Sequence, residues 1–323
     1  MKLAYITIVL LLAVPTTALC SNVEYPISIS DDAQTCPAIS KVKSWAYQLQ
    51  NANPEEIIST SFNLIVIDYS RDGTEKTAYT PIEILKIKLS GKIPIAYISI
   101  GEAEDYRFYW KEEWYYSPPP WLGNENPEWK GNYAVKYWSK EWKQIIFSYL
   151  DKIINQGFCG VYLDRVDAFE YWSNPENNED TLLPEEEAAK RMTTLIKEIA
   201  DYCRSKKPFF YVIPQNGEKL LEYDETLLNV VSGWAVEDLF YDETTPIPQS
   251  EIAERTQYLD TVLKRGKPVL VVDYVDDGTG FKGSNKVRIL DFIEKARSKG
   301  YIPYAAISDR ELDELNIIDE IQQ

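Results

Sequence analysis

The feature that most constrains this chain is an alternation: from residue 44 onward, eight short apolar runs are separated by segments of helical periodicity. The runs fall at 44–49, 63–69, 93–100, 160–164, 209–214, 230–236, 268–274 and 301–307, and the clearest helical stretches at 140–156, 184–205, 250–265 and 284–299. Pro184 stands where a helix would start, and Gly157, Gly266 and Gly300 stand near helix ends. Strands that are continuously apolar are those of parallel sheets covered on both faces. Eight strand–helix units in one domain of about 250 residues predict an α/β fold of the (β/α)8 TIM barrel type. A doubly wound sheet is the alternative; it is disfavoured because no Gly-rich phosphate loop follows the first strand, while polar residues recur at every strand end. No low-complexity linker divides the chain, so a single barrel domain is expected over 44–323, preceded by an N-terminal arm over 19–43.

Residues 1–18 read as a signal peptide: Lys2 supplies the charged start, an apolar run covers 3–14, and Thr16, Thr17 and Ala18 offer small residues for cleavage. The run is short of the roughly 20 residues that a membrane span needs, so a secreted, extracellular protein is expected rather than an anchored one. Lipid anchoring at Cys20 is a weaker alternative, because Leu19 precedes it where lipoprotein leaders carry a small residue. Export permits disulfides, and Cys20, Cys36, Cys159 and Cys203 allow three pairings. The expected one joins Cys159, at the start of the fourth strand, to Cys203, at the end of the next helix, since both belong at the bottom of a barrel. That leaves Cys20 for Cys36.

There is no histidine in the chain. Ser-His-Asp and Cys-His catalysis and His-ligated zinc are therefore excluded, and acid–base work falls to carboxylates, Tyr, Lys or Cys. With 51 Asp+Glu against 34 Lys+Arg the formal charge is −17. Such a field disfavours nucleic acid and anionic membranes and attracts cationic partners, an amino-sugar polymer being the natural candidate. The strand ends carry Gln48, Asp68, Glu102 with Glu104, Asp164 with Asp167, Gln215 with Asn216, Glu237 with Asp238, Asp273, and Asp309. In a barrel these positions form the carboxyl-terminal mouth, where active sites are built. Helix capping is the simplest reading of Asp68 and Asp309. It is weaker for Asp164 and Glu237, which end apolar runs and whose carboxyls such neighbours would perturb. The longest insertion, 106–138, holds Trp110, Trp114, Tyr115, Tyr116, Trp121, Trp129, Tyr133, Tyr137 and Trp138. Aromatic faces beside carboxylates suit a sugar, although the same rings could form a small core of their own.

Two segments carry a family resemblance: Tyr97 to Arg107, which fills the pattern Y-x-S-x-G-x-x-E-x-x-R with Tyr97, Ser99, Gly101, Glu104 and Arg107, and Gly160 to Ala168, which carries Asp164 and Asp167. On these the chain resembles glycoside hydrolase family 114, the endo-α-1,4-polygalactosaminidase-like proteins, in its bacterial and archaeal secreted branch, from Trp45 through Arg310. The resemblance implies Asp164 as the nucleophile-like carboxylate and Glu237 as the general acid/base, and it matches Trp45, Gln48 and Asn216 to family positions. Tyr162 and Arg165 depart from it, standing where the fungal members have Asp and Asn; a cation at Arg165 argues against a strictly galactosamine substrate if its side chain faces the cleft. Apart from the resemblance, carboxyls on strands four and six of one barrel face a common space, as glycosidic cleavage requires, and a retaining route is expected. The expected substrate-binding set is Trp45, Gln48, Asp68, Tyr97, Glu102, Glu104, Arg107, Asp167, Asn216 and Asp273. No cofactor or resident metal is expected, and the protein is expected to be a monomer. Two other readings stay open: a non-catalytic carbohydrate-binding barrel, and an enzyme whose carboxylates hold Mg2+ or Ca2+.

Overall fold

Each apolar run forms a strand, and the computed structural model, which describes residues 35–318 and 321, places eight of them side by side in chain order. They are β1 (Trp45–Gln48), β2 (Leu64–Ile67), β3 (Ile93–Ser99), β4 (Gly160–Asp164), β5 (Tyr211–Pro214), β6 (Trp234–Glu237), β7 (Val269–Asp276) and β8 (Ile302–Ile307). Every residue of β1, β2, β3 and β7 is buried, as parallel strands covered on both faces must be. Parallel ladders join β1 through β5 and, separately, β6 through β8. The two groups meet at a bridge between Gln215 and Ala235, reinforced by Asn216 N–H donating to Ala235 O at 2.9 Å. At the other seam no ladder joins β8 to β1 among the described residues. There the Trp45 indole N–H donates to Ile302 O at 2.8 Å, and the N–H groups of Leu49 and Gln50 donate to Leu312 O. The α/β architecture is the expected TIM-barrel-like one, with a side chain and a loop in place of a ladder at this seam.

The helices that cover the strands begin where their caps dictate. Asn53 caps Pro54–Ser59, and Thr80 with Glu83 forms a capping box on Pro81–Leu89, each helix having Pro in its first turn. Ser139 caps Lys140–Gln156, which ends at Gly157 in the left-handed conformation (φ 93°). Glu185–Lys206 opens on three glutamates and closes on Arg204 and Lys206, the order that complements the helix dipole. The largest boundary difference from expectation lies in the sixth strand. The run 230–236 becomes a strand only at Trp234, because Asp224 caps a 3-10 turn over Glu225–Asn229 and Val230 is still helical.

The insertion after β3 is not an open loop. Glu102–Glu104, Leu122–Glu125 and Asn132–Val135 form a small antiparallel sheet. Most of its aromatics pack against each other and against the following helix: Trp110 on Trp114 (ring centroids 5.2 Å), Trp114 on Trp121 (5.1 Å) and Trp121 on Trp142 (5.2 Å). They are a satellite core, and only Trp129 and Tyr106 of the insertion's aromatics reach the mouth of the barrel.

The leader, Cys20 and the arm before residue 35 lie outside the described residues. The rest of the arm runs under the barrel, where the Tyr211 hydroxyl donates to Pro37 O at 2.8 Å and accepts from Ile39 N–H. This brings Cys36, not Cys203, to Cys159: the disulfide is Cys36–Cys159, which corrects the expected pairing. Cys203 is a free thiol in the buried stripe of its helix with Ile196, Ile199 and Ala200, and burial pushes its pKa up to about 12. The bond closes a sequence separation of 123 residues, so reduction should destabilise the protein by roughly 2–5 kcal/mol. Thermal melts with and without reductant check this: Cys36→Ser should abolish the sensitivity and Cys203→Ser should retain it. Gly101 offers a second test. A Cβ there would lie 2.3 Å from Arg165 O and 2.6 Å from the Ala168 Cβ, so Gly101→Ala should displace the turn after β4 and cost about 1–3 kcal/mol in a denaturant titration.

Candidate active site

In a parallel ladder, paired residues face the same side, and residues two apart along a strand share a face. Tyr162 pairs with Ile213, Gln215 bridges to Ala235, and Glu237 pairs with Val272. Counting in twos along these strands puts Asp164, Gln215, Glu237 and Tyr274 on one face, the barrel interior. The same count through β3, β2 and β1 adds Tyr97, Asp68 and Tyr47. All seven line one cavity of about 470 Å3 at the carboxyl ends of the strands.

Asp164 and Glu237, the last residues of β4 and β6, are half-buried in it. The Tyr97 hydroxyl donates to Asp164 Oδ2 at 2.7 Å, and the Tyr274 hydroxyl donates to Glu237 Oε1 at 2.5 Å. Asn216 accepts the Glu237 N–H at 3.0 Å, and Arg255 donates to the carbonyls of Glu237 and Asp238. Backbone strain gathers at the same rim: Arg165, Asn216 and Asp238 all adopt positive φ (58°, 57° and 50°) just past their strands. Below the two carboxyls, Tyr47 and Tyr162 pack ring to ring at 5.2 Å, and the Tyr162 hydroxyl is buried with no partner.

This surrounding protein pulls the two carboxyls apart electrostatically. Burial pushes Glu237 up to about 8, and the charge of Asp164 adds to the rise against the Tyr274 hydrogen bond. Burial also raises Asp164, but Arg165 and the Tyr97 hydroxyl oppose it, leaving it at about 6. Near neutral pH, Asp164 is therefore the ionised member and Glu237 the protonated one.

The other expected residues divide into those at the cavity and those that are not. Arg107 joins Asp68 (2.6 Å) and Glu104 (2.6 Å), and the Tyr106 hydroxyl donates to Glu104. These side chains reach the cavity wall but are committed to one another; burial still lifts Asp68 to about 6. Asp68 also accepts the Ser70 N–H, and Asp309 accepts the Glu311 N–H; these are turn contacts, and no helix starts at either residue, which corrects the capping expected of them. Glu102 pairs with Arg165 at 2.8 Å and accepts from Asn126 and Asn132 of the insertion. Asp167 and Asn216 line the cavity, and Asp167 Oδ1 is buried without a partner.

Trp45, Gln48 and Asp273 are not among the lining residues, which corrects their placement. Trp45 faces inward but lies a layer below Tyr47. Gln48 has the opposite parity and donates to Gln50 O and Asp313 O. Asp273 is likewise outward-facing and buried, accepting the N–H groups of Leu239, Phe240 and Tyr241 at 2.9 Å each, which shapes the loop after β6. Tyr47, Tyr274 and Arg310 were missed. For the two tyrosines the signal was strand parity; for Arg310, on the segment after β8, no pattern marked it.

Comparison with known proteins shows the family of the chain. The sequence matches the model of glycoside-hydrolase family GH114 over residues 28–322. An uncharacterized protein of Methanocaldococcus jannaschii is 64% identical over 275 residues, covering 84% of this chain and 78% of that protein. One from Thermotoga maritima is 53% identical over 280 residues, covering 86% and 85%. Among solved structures, the glycoside hydrolase domain of PelA from Pseudomonas aeruginosa superposes with a TM-score of 0.64 at 17% identity, covering 85% of this chain and 98% of that one. Aspergillus fumigatus Ega3, in complex with galactosamine, gives 0.64 at 16% identity, covering 88% and 97%. These two likenesses show a shared fold. With the family matched over nearly the whole length, the chain belongs to glycoside-hydrolase family GH114 and is a glycosidase.

Proposed function

We propose that this glycosidase cleaves an amino-sugar-containing polysaccharide by a two-carboxylate mechanism, with Glu237 as general acid/base and Asp164 as nucleophile. The observation that carries this reading is geometric: carboxyls from β4 and β6 line one cavity, each held by a tyrosine hydroxyl. Burial raises Glu237 further than Asp164, so that a protonated Glu237 can donate to the leaving oxygen while an ionised Asp164 meets the developing oxocarbenium carbon. Tyr97 holds Asp164 in position through its hydroxyl. The route is retaining: the Asp164–glycosyl bond forms as the glycosidic bond breaks, and water then opens the intermediate with Glu237 taking its proton.

One feature supports the amino-sugar class. Carboxylates outnumber cations around the cavity, where Asp72, Asp167 and Glu311 join those already named. Arg165 does face the cleft, but its pairing with Glu102 offsets its charge, so it tempers rather than reverses the preference. A partly deacetylated polymer, with free amines among neutral units, fits this mixture. Export is supported by the leader-like start and by the Cys36–Cys159 bond. Among the described residues no helix is long and apolar enough to cross a membrane.

Turnover should trace a bell against pH, with an acid limb near 6 as Asp164 ionises and a basic limb near 8 as Glu237 loses its proton. Glu237→Gln should lower turnover roughly 10²–10⁴-fold and remove the basic limb, and Asp164→Asn should do at least as much. Mass spectrometry of products from acetylated, partly deacetylated and neutral polysaccharides tests the substrate, and NMR of the first-formed anomer tests retention. Binding of the partly deacetylated polymer should weaken with salt, and equal binding of a fully acetylated polymer at low ionic strength would count against the amino-sugar class.

A further inference from the structure

Arg310, three residues beyond β8, lines the cavity in a left-handed conformation (φ 61°). Its Nη1 and Nη2 each donate to the Asp238 carboxylate at 3.0 Å, and Nη2 also donates to Asp242 at 2.8 Å. Its guanidinium carbon lies 4.4 Å from the centre of the Tyr274 ring, the ring whose hydroxyl donates to Glu237. Arg310 thus touches both supports of Glu237: the next residue in the chain, and the phenol bonded to its carboxyl. The Arg310 segment is in turn fixed from β1. Leu49 and Gln50 N–H donate to Leu312 O at 2.8 and 3.1 Å, Gln50 Nε2 to Glu311 O at 3.1 Å, and Gln48 Nε2 to Asp313 O at 2.9 Å.

We infer that Arg310 is a positioning residue for the acid: its guanidinium locks Asp238 and Tyr274 so that the Glu237 carboxyl is held in one place, with Gln48 keeping the segment seated. This rests on the reading of Glu237 as the general acid. The groups that face Glu237 are Asp164 and Tyr162 from β4, Tyr47 from β1 and Tyr274 from β7, with Asp238 beside it and Arg255 on its carbonyl. Asp164 and Asp238 raise the Glu237 carboxyl, while Arg310 lowers it directly and also neutralises Asp238. Removing the Arg310 charge therefore raises Glu237 further, and its proton is held to higher pH.

The test follows the carboxyl 13C resonance of Glu237 by NMR titration in the full chain labelled at glutamate, the signal being assigned by its loss in Glu237→Gln. In Arg310→Gln the titration should move upward by about one pH unit. On a partly deacetylated amino-sugar polymer kcat should fall about tenfold with KM within twofold, because a displaced acid weakens the transition state more than ground-state binding. Arg310→Lys keeps the charge without the planar fork, so the titration should stay near its original place while kcat still falls. Gln48→Ala, which leaves Arg310 intact but loosens its segment, should repeat the Arg310→Gln shift in weaker form and serves if that variant does not fold. A Glu237 titration that stays put or moves down in both Arg310→Gln and Gln48→Ala, with only thermal stability reduced, overturns the inference. Full turnover by Glu237→Gln removes the acid assignment beneath it; an inactive Glu237→Gln with an unmoved titration removes the positioning role alone.

Discussion

The parity of the parallel ladder governs the site. Because paired residues share a face, the register between β4 and β5 and between β6 and β7, with the single bridge joining β5 to β6, is enough to bring Asp164 and Glu237 into one space. A slip of one residue would send Glu237 outward and bring Asp238 in, without altering the composition of any strand. The bridge is backed by Asn216, whose N–H bonds to Ala235 O while its side chain accepts the Glu237 N–H, so a residue just past β5 also holds β6 in register. The left-handed backbone at Asn216 is the conformational cost of that double contact, of order 1–3 kcal/mol.

Around this frame the arginines of the barrel wall are matched by carboxylates. Arg107 lies within 6 Å of the ring centres of Tyr69, Tyr97, Tyr106 and Tyr149 and is joined to Asp68 and Glu104. A guanidinium so far from water is tolerable only with such partners, since an isolated buried ion costs several kcal/mol. Arg165 with Glu102 and Arg310 with Asp238 repeat the arrangement at the rim. The consequence is electrostatic separation: carboxylates bonded to an arginine have their charge offset, while Glu237, whose carboxyl is bonded to a phenol, is pushed to about 8 by burial and by the charge of Asp164. A strongly acidic chain in this way keeps one carboxyl protonated near neutral pH.

The aromatic insertion shows how composition can mislead about location. Its tryptophans invite a sugar platform, yet three of them make edge or tilted contacts with each other and with Trp142, where the hydrophobic effect has more surface to remove from water than a mouth exposed on one side. What the insertion gives the site is mainly polar: Asn126 and Asn132 hold Glu102, and Glu102 holds Arg165. The motif glycine Gly101 has its reason here as well, since the Arg165 backbone passes too close to admit a Cβ.

The sequence by itself determined what depends on local patterning. Continuous apolar runs marked all eight strands, caps and C-terminal glycines marked the principal helices, and the switch from apolar to acidic residues marked Asp164 and Glu237 at strand ends. What it could not determine was anything fixed by pairing with a distant segment. Gln48 and Asp273 are polar and stand at strand ends, which suggests the mouth, but inward or outward is decided by register with the neighbouring strand. For the same reason nothing local marks Tyr274, next to Asp273, as facing the cavity. Cys36 meets Cys159 because Tyr211 draws the arm beneath the barrel, and Arg310 meets Tyr274 because β1 fastens a segment more than 250 residues away in the chain. Such contacts join residues with no local signal in common, and only the tertiary structure brings them together.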